Sequence, residues 1–423
     1  MGFSRIINNR TGETVFSMSH PSGLKILVAP IEGYSSSFAI FGTKYGSIDD
    51  CFKSAKELEF SRVPAGIAHF LEHKLFENED CDAFARYAKT GASANAYTSF
   101  DKTCYLFSCS DKLEESLEIL LDFVQSPYFT KETVEKEQGI IGQEIRMYDD
   151  SPEWRVYFNL LSALYPKHPV RVDIAGTVES ISKIDDELLY KCYNTFYNLN
   201  NMVLVVAGKV KPEDVLKIAD KLLKTSVPNN IKRCFPEEPE AVGKAYIEQS
   251  FPVAVPIFML GFKEQTGGKR ASSLETVATE ILLELICGKA SSLYAQLDEA
   301  GLINDSFGAE FFEGPLYAAE IFSAESKEPE TVKDTIIDYI NELRFNGIDP
   351  GEFEAARRFI YGRYVGELST AESVANNLVS DYFAGRDFYG NLEAAAHITL
   401  EDVTARLEAT LDTDNVALSV VKQ

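Results

Sequence analysis

Two histidines four residues apart, His69 and His73, stand in the segment Gly66-Ile67-Ala68-His69-Phe70-Leu71-Glu72-His73, with Glu72 directly before the second. On a helix, positions i and i+4 lie one above the other on the same face, so both imidazoles can reach one metal ion. Glu72 falls on the adjoining edge of that face, close enough to hold a water on the metal. The order His-x-x-Glu-His reverses the common zinc-protease order and is the inverzincin signature. The chain has only five histidines, so the pattern carries weight, although motif matches always have chance occurrences. The plain alternative is a pair of hydrogen-bonded histidines on a half-buried helix face.

Catalytic zinc usually takes three protein ligands and a water, so the two histidines need a partner. A helix predicted over 131–148 carries Glu135, Glu137 and Glu144. Glu137 and Glu144 are seven apart, two turns, and share a face. One can bind the metal while the other accepts a hydrogen bond from a ligand histidine. Gly139 and Gly142 interrupt the same helix at roughly 1 kcal/mol each, and close approach of another element is the expected reason for both. An amphipathic helix with a solvated acidic face is the alternative on spacing alone.

These residues need a scaffold, and the pattern supplies one. Strands are predicted at 24–30, 37–43, 93–98, 103–109 and 202–208, from β-branched and aromatic runs. A polar loop runs to about Arg62. The motif helix is expected to start around Pro64, a residue suited to a first helical turn, and to reach Glu77. Its other face, Ile67, Phe70, Leu71 and Leu75, is apolar. Further helices are expected at about 79–90 (ending at Gly91), 111–126, 131–148, 152–164 (Ser151 as N-cap, Pro152 first), 183–197 and 211–224. The stretch 225–244 is rich in proline, charge and turn formers and reads as a linker. The second half repeats the order: strands 244–250 and 256–263, helices 271–288 and 290–300, strands 303–311 and 316–323, helices 330–346, 350–367, 370–384 and 399–410, and strand 415–421. The chain is therefore expected to be α+β: two duplicated α/β domains, each a mostly antiparallel sheet covered by helices. Residues 1–224 form the zinc-binding domain and 245–423 a domain of similar architecture without metal ligands. The second half has a single histidine, His397, and the counterpart of the motif helix around Leu274–Glu280 carries no ligands.

Length and composition agree. The 423 residues exceed one small core, and no apolar run approaches the ~20 residues of a membrane span. The N-terminus has neither an apolar signal core nor a myristoylation pattern, which makes the cytoplasm the expected location. Seven scattered cysteines without a C-x-x-C pair fit reduced thiols. A net charge of −24 disfavours nucleic acid and anionic membranes as partners. The 20 tyrosines and 28 phenylalanines fit a large core and point to no cofactor.

With these residues in hand, the sequence resembles the pitrilysin–insulinase family of zinc peptidases, and within it the bacterial processing-peptidase-like subunits. The matching pieces span nearly the whole chain: Gly66 through His73, Asn95-Ala96, Glu137-x6-Glu144-Ile145, Asp150-Ser151-Pro152, His168-Pro169, Gly176-Thr177 and Asn201-Met202. The resemblance implies one Zn2+ per chain on His69, His73 and Glu144. It implies Glu72 as the general base acting on the zinc-bound water, with Glu137 supporting the catalytic site. It also implies that an extended peptide pairs with an edge strand near Asn95 and Ala96. The substrate is expected to be a short or unfolded peptide, enclosed in a chamber that two such chains form. A turn or strand-end residue is the alternative for Asn95.

One segment departs from the family. Active members carry an arginine and a tyrosine where this chain has Asp298 and Asn304, in Leu297-Asp298-Glu299-Ala300-Gly301-Leu302-Ile303-Asn304. A carboxylate cannot replace a cationic donor at a developing oxyanion. The expectation is therefore a zinc-bearing subunit in a dimer, with a homologous partner chain supplying the missing arginine and tyrosine. A non-catalytic scaffold or binding subunit with the same fold is the second reading. His20 (before Pro21), His168 (before Pro169) and His397 are expected not to be ligands.

Overall fold

Runs of valine, isoleucine and phenylalanine form strands that can be buried on both faces, and such strands make the centres of two sheets. The strands are β1 (Ser4–Ile7), β2 (Thr14–Ser19), β3 (Lys25–Pro30), β4 (Ser37–Thr43), β5 (Cys51–Lys53), β6 (Ser61–Arg62), β7 (Ser93–Thr98), β8 (Thr103–Cys109), β9 (Met202–Gly208), β10 (Lys232–Arg233), β11 (Tyr246–Ser250), β12 (Ile257–Lys263), β13 (Gly308–Gly314), β14 (Tyr317–Glu325) and β15 (Val416–Lys422). The computed structural model describes residues 2–79 and 81–423. Met1, part of the N-terminal reading, and Asp80, inside the helix expected over 79–90, lie outside the described residues.

The first sheet has the order β1-β2-β3-β9-β4-β8-β7 and the second β11-β15-β12-β14-β13. β4 and β9 are buried along their whole length. In the first sheet β3 runs parallel to β9; in the second β11 runs parallel to β15; the remaining pairs are antiparallel. The order β3-β9-β4-β8-β7 thus recurs as β11-β15-β12-β14-β13, down to the position of the parallel pair. The duplication read from element order is present in the sheets themselves. A small third sheet, β10-β5-β6, lies in the first unit.

The helices nearest the motif are α1 (Ile67–Leu75), α2 (Ala83–Thr90), α3 (Leu113–Val124), α4 (Lys131–Asp149) and α5 (Pro152–Leu164). What covers each sheet does not follow chain order. α5 packs on β12 and β15, and the helix Ala371–Ala384 packs on β4 and β9. A central-strand glycine makes room in each case. A Cβ on Gly261 would come 2.8 Å from Leu164 of α5, and one on Gly42 would come 3.2 Å from the ring of Phe383. The compact units are accordingly discontinuous: residues 1–145, 173–235 and 367–388 form one, and 146–172, 236–366 and 389–423 the other. Against the linear division into 1–224 and 245–423, each half has given one helix to the other's sheet. Periodicity marks where a helix begins and ends but not which sheet it covers.

Several elements differ from expectation for local reasons. α1 starts at Ile67 rather than Pro64, because Gly66 adopts a left-handed conformation at φ 88° and serves as its N-cap. The strand expected over 303–311 begins at Gly308, because Asn304 first closes a turn that accepts from the Ser306 amide at 2.9 Å. The polar loop before Arg62 contains β5 and β6, the linker contains β10, and β1 and β2 precede the first expected strand. Ser151 caps α5, accepting from the Trp154 amide, and Gly91 ends α2 at φ 77°. No helix among the described residues is long and apolar enough to cross a membrane.

Candidate metal centre

The position of α1 is set by a glycine-to-glycine meeting. A Cβ on Gly66 would lie 2.4 Å from the Ala175 carbonyl oxygen, and one on Gly176 would lie 2.6 Å from that of Ala65. Ser180, in the capping box of Thr177, donates to the Ala65 carbonyl at 2.8 Å and locks the junction. Ile67, Phe70, Leu71 and Leu75 are buried beneath. The opposite edge of the helix then carries His69, Glu72 and His73 toward α4.

α4 brings Glu137 and Glu144 to the same place. His73 Nε2 lies 3.4 Å from Glu144 Oε2, and His69 Nε2 lies 3.7 Å from Glu144 Oε1. One ligand atom from each of His69, His73 and Glu144 can be chosen so that all lie within 4.8 Å of one another. Two imidazoles and a carboxylate are a zinc-type donor set, and the His73–Glu144 separation of 3.4 Å matches the spacing of about 3.3–3.5 Å between ligands of a tetrahedral zinc with bonds of ~2.0–2.2 Å. The other nitrogen of His73, Nδ1, lies 3.1 Å from Glu137 Oε1.

The charges of the group are set by burial and by one another. Burial lowers the His69 pKa to about 4, with His73 adding to the effect, so the ring is neutral and its lone pair free for a metal. Burial also works to lower His73, but the hydrogen bond with Glu137 and the charges of Glu72 and Glu144 outweigh it, and the net shift is upward. For Glu137, burial pulls upward and the His73 contact overrides it. Burial raises the Glu72 carboxyl; the Thr98 hydroxyl, donating to Glu72 Oε2 at 2.6 Å, acts against this. A raised carboxylate held by a single donor has the character of a proton acceptor.

Thr98 was not foreseen as a site residue. It ends β7, and only the pairing of β7 with β8 brings it under Glu72, so spacing could not reveal it. β7 is the edge strand of its sheet, and Asn95 and Ala96 lie on it, Asn95 exposed. A groove of about 560 Å3 opens beside Glu72 and His73, bounded by Asn95, Ala96, Phe76, Phe84 and Ile140. Phe76 and Phe84 stack with ring centroids 4.4 Å apart. Gly139 does not have the close neighbour expected of it: it is exposed, and a Cβ there would meet nothing within 4 Å. Gly142, on the same helix, is buried.

The remaining sequence candidates lie elsewhere. His20 contacts Ser22 and Asp220, and His168 accepts from the Val170 amide. In the second unit, the helix Ser273–Cys287 occupies the place of α1 in the element order; it begins with a Ser272–Glu275 capping box and has no histidine. Asp298 is exposed near the end of the helix Ser292–Glu299, and Asn304 is engaged with Glu325 at 2.7 Å and with its own turn.

Comparison with known proteins agrees with this geometry. The family described as insulinase (peptidase family M16) matches residues 62–178, and the peptidase M16 inactive domain matches 183–360. The chain is 40% identical over 416 residues to the uncharacterized zinc protease YmfH of Bacillus subtilis, covering 97% of this chain and 96% of that one. An M16-like peptidase of Alicyclobacillus acidocaldarius has the same fold at a TM-score of 0.93 and 36% identity, over 97% of this chain and 98% of its own. The mitochondrial-processing peptidase subunit beta of Caenorhabditis elegans is 32% identical over 162 residues, which is 37% of this chain and 35% of that one. The zinc-type donor set, the duplicated sheets and the near full-length match lead to one conclusion: this chain belongs to the insulinase family of peptidases, family M16.

Proposed function

We propose that the chain is a zinc metalloendopeptidase that hydrolyses short or unfolded peptides. The observation that carries this reading is the convergence of His69, His73 and Glu144, with Glu72 held beside them by Thr98. Zinc bound there, one per chain, supplies a Lewis acid that acidifies water and polarises a carbonyl. The residues of the chain do the rest. His69, His73 and Glu144 hold the ion. Glu137 accepts from Nδ1–H of His73 and so directs the Nε2 lone pair toward the centre. Glu72 takes a proton from the attacking water and returns it to the leaving amine nitrogen. An extended peptide adds to the free edge of β7 at Asn95 and Ala96 by main-chain hydrogen bonds, which gives low sequence specificity. The free thiols are compatible with a cytoplasmic location.

The exposed carboxylate of Asp298 and the engaged Asn304 favour a division of labour. This chain would hold the metal, and a homologous partner would complete the oxyanion support within a shared chamber. The relative named as a subunit of a processing peptidase supports the same arrangement. Those two residues are also what favours the second reading, a non-catalytic scaffold or binding subunit. Metal analysis combined with Glu72→Gln separates the two. Zinc at about one per chain, with cleavage of an unfolded peptide lost in the variant, supports the enzyme; a native chain without zinc supports the scaffold.

A further inference from the structure

The small sheet β10-β5-β6 brings two cysteines together. Its register pairs Lys232 with Lys53 and Arg233 with Phe52. The next pair is Cys234 opposite Cys51, closed by the Cys234 amide donating to the Cys51 carbonyl at 2.8 Å. Directly opposed residues of antiparallel strands project to the same face of a sheet. Their Cα atoms in a hydrogen-bonded pair are about 5.5 Å apart, inside the ~4.4–6.8 Å range of disulfides.

The segment carrying Cys234 is anchored. Arg233 donates through Nε to Asp49 Oδ1 at 2.5 Å and through Nη2 to the Lys44 carbonyl at 2.5 Å, with its guanidinium 5.5 Å from the Phe196 ring centroid. Cys234 is therefore held at Cys51 by its neighbour. The two thiols differ in access: Cys51 is 6% exposed, whereas Cys234 is half-buried. Burial raises the Cys51 thiol, and on its far side β6 sets Arg62 directly opposite, a cation whose charge acts against that rise.

We propose that Cys51 and Cys234 are a thiol–disulfide modification site that takes a small disulfide of the glutathione class. The Cys234 thiolate attacks one sulfur of the small disulfide. That S–S bond breaks, a first small thiol leaves with a proton, and a mixed disulfide remains on Cys234. The Cys51 thiolate then attacks the Cys234 sulfur, the mixed bond breaks, and a second small thiol leaves with the other proton. Two protein thiols are oxidised to one disulfide, and one small disulfide is reduced to two thiols. The product ties residue 234, within the segment joining the two halves of the chain, to β5. Neither residue touches the metal centre, so the site stands apart from the peptidase reading.

The test uses the full zinc-loaded chain carrying Cys81→Ser, which removes the exposed competing thiol. It is equilibrated in glutathione buffers from reduced to fully oxidised, digested without reduction and analysed by mass spectrometry. The expected result is loss of two thiols together and a cross-linked peptide containing Cys51 and Cys234, formed in the folded chain well above its yield in urea. Adding Cys51→Ser should leave glutathione on Cys234. Both thiols remaining free in the oxidised buffer, or the reaction stopping at glutathione on Cys234 while Cys51 is intact, would overturn the proposal.

Discussion

The Nδ1 atom of His73 lies 3.1 Å from a carboxylate oxygen of Glu137, and that contact decides which nitrogen of the ring faces Glu144. Glu137 sits two turns before Glu144 on one helix, so a single rigid element places both the carboxylate that faces the two imidazole Nε2 atoms and the carboxylate that holds His73 Nδ1. Glu137→Ala should lower zinc affinity by roughly 10–100-fold, the usual effect of removing such a partner. Glu137→Gln, which keeps an acceptor oxygen, should lose less. Competition with a chromophoric chelator measures both, and equal affinity in all three chains would refute the role.

The Thr98 hydroxyl holds Glu72 at 2.6 Å. Thr98→Val preserves the shape of β7 and removes the donor. Hydrogen bonds to charged groups contribute about 1.5–3 kcal/mol, so kcat for peptide cleavage should fall about tenfold or more. Zinc content should be unchanged. A parallel loss of zinc would instead make Thr98 a part of the fold of the site.

His168 gives the second unit a dependence on acid. The ring is buried and accepts from the Val170 amide; burial lowers its pKa to about 4, with Glu238 and the Pro315 backbone acting against this. The folded value is below the ordinary 6.5, so the unfolded chain binds more protons between pH 4 and 6.5. The contribution is complete above pH 6.5 and is lost as pH falls, by about 2 kcal/mol at pH 5. Urea unfolding at pH 7 and pH 5 should differ by about that much more in the native chain than in His168→Leu.

Glu320 acts with the opposite sign. Its carboxyl is 1% exposed on β14, and Arg406, the nearby cation, forms a two-pronged contact with Glu264 at 2.9 and 2.6 Å. Burial first, and the charge of Glu264 second, raise Glu320 to about 8, with Arg406 opposing. The folded value lies above the ordinary carboxylate value, so stability is highest at low pH and falls as pH rises toward 8. Glu320→Gln, neutral throughout, should exceed the native chain in stability at pH 8 by more than about 1 kcal/mol and match it more closely at pH 5. Denaturant midpoints at the two pH values test this.

Asp298 and Asn304 bear on the partner. The zinc-loaded chain alone should cleave an unfolded peptide poorly, and adding a homologous chain that has the arginine and tyrosine should restore turnover by 10²-fold or more, the scale of a lost oxyanion donor. Full activity from the isolated chain would remove the need for a partner.

The pairs His69/His73 and Glu137/Glu144 were legible because helical spacing puts each pair on one face, whereas the choice of Glu144 over Glu137 came from the family resemblance and not from spacing. The strands 37–43, 93–98, 103–109 and 202–208 were legible because each is a short run of strand-forming residues between turn formers. Other features depend on pairing across long separations. Thr98 reaches Glu72 only through the β7–β8 register, and Cys234 meets Cys51 across a chain separation that no local pattern reports. Gly66 looks like any helix-start glycine until Ala175 is seen against it. Gly139 is exposed with nothing near it, although Gly142 three residues on is buried: a glycine in sequence does not say whether its side faces a neighbour or open space.

The traded helices have a consequence for synthesis. The sheet containing β4 and β9 has all its strands by residue 208, but the helix that covers those two strands is residues 371–384. A ribosome adding ~5–20 residues per second leaves that apolar face waiting for roughly ten seconds or more. During this interval the nascent chain is a client for anything that binds exposed hydrophobic strands. A version truncated anywhere before residue 371 would lack that cover, so the first sheet depends for it on a helix that is among the last parts of the chain to be made.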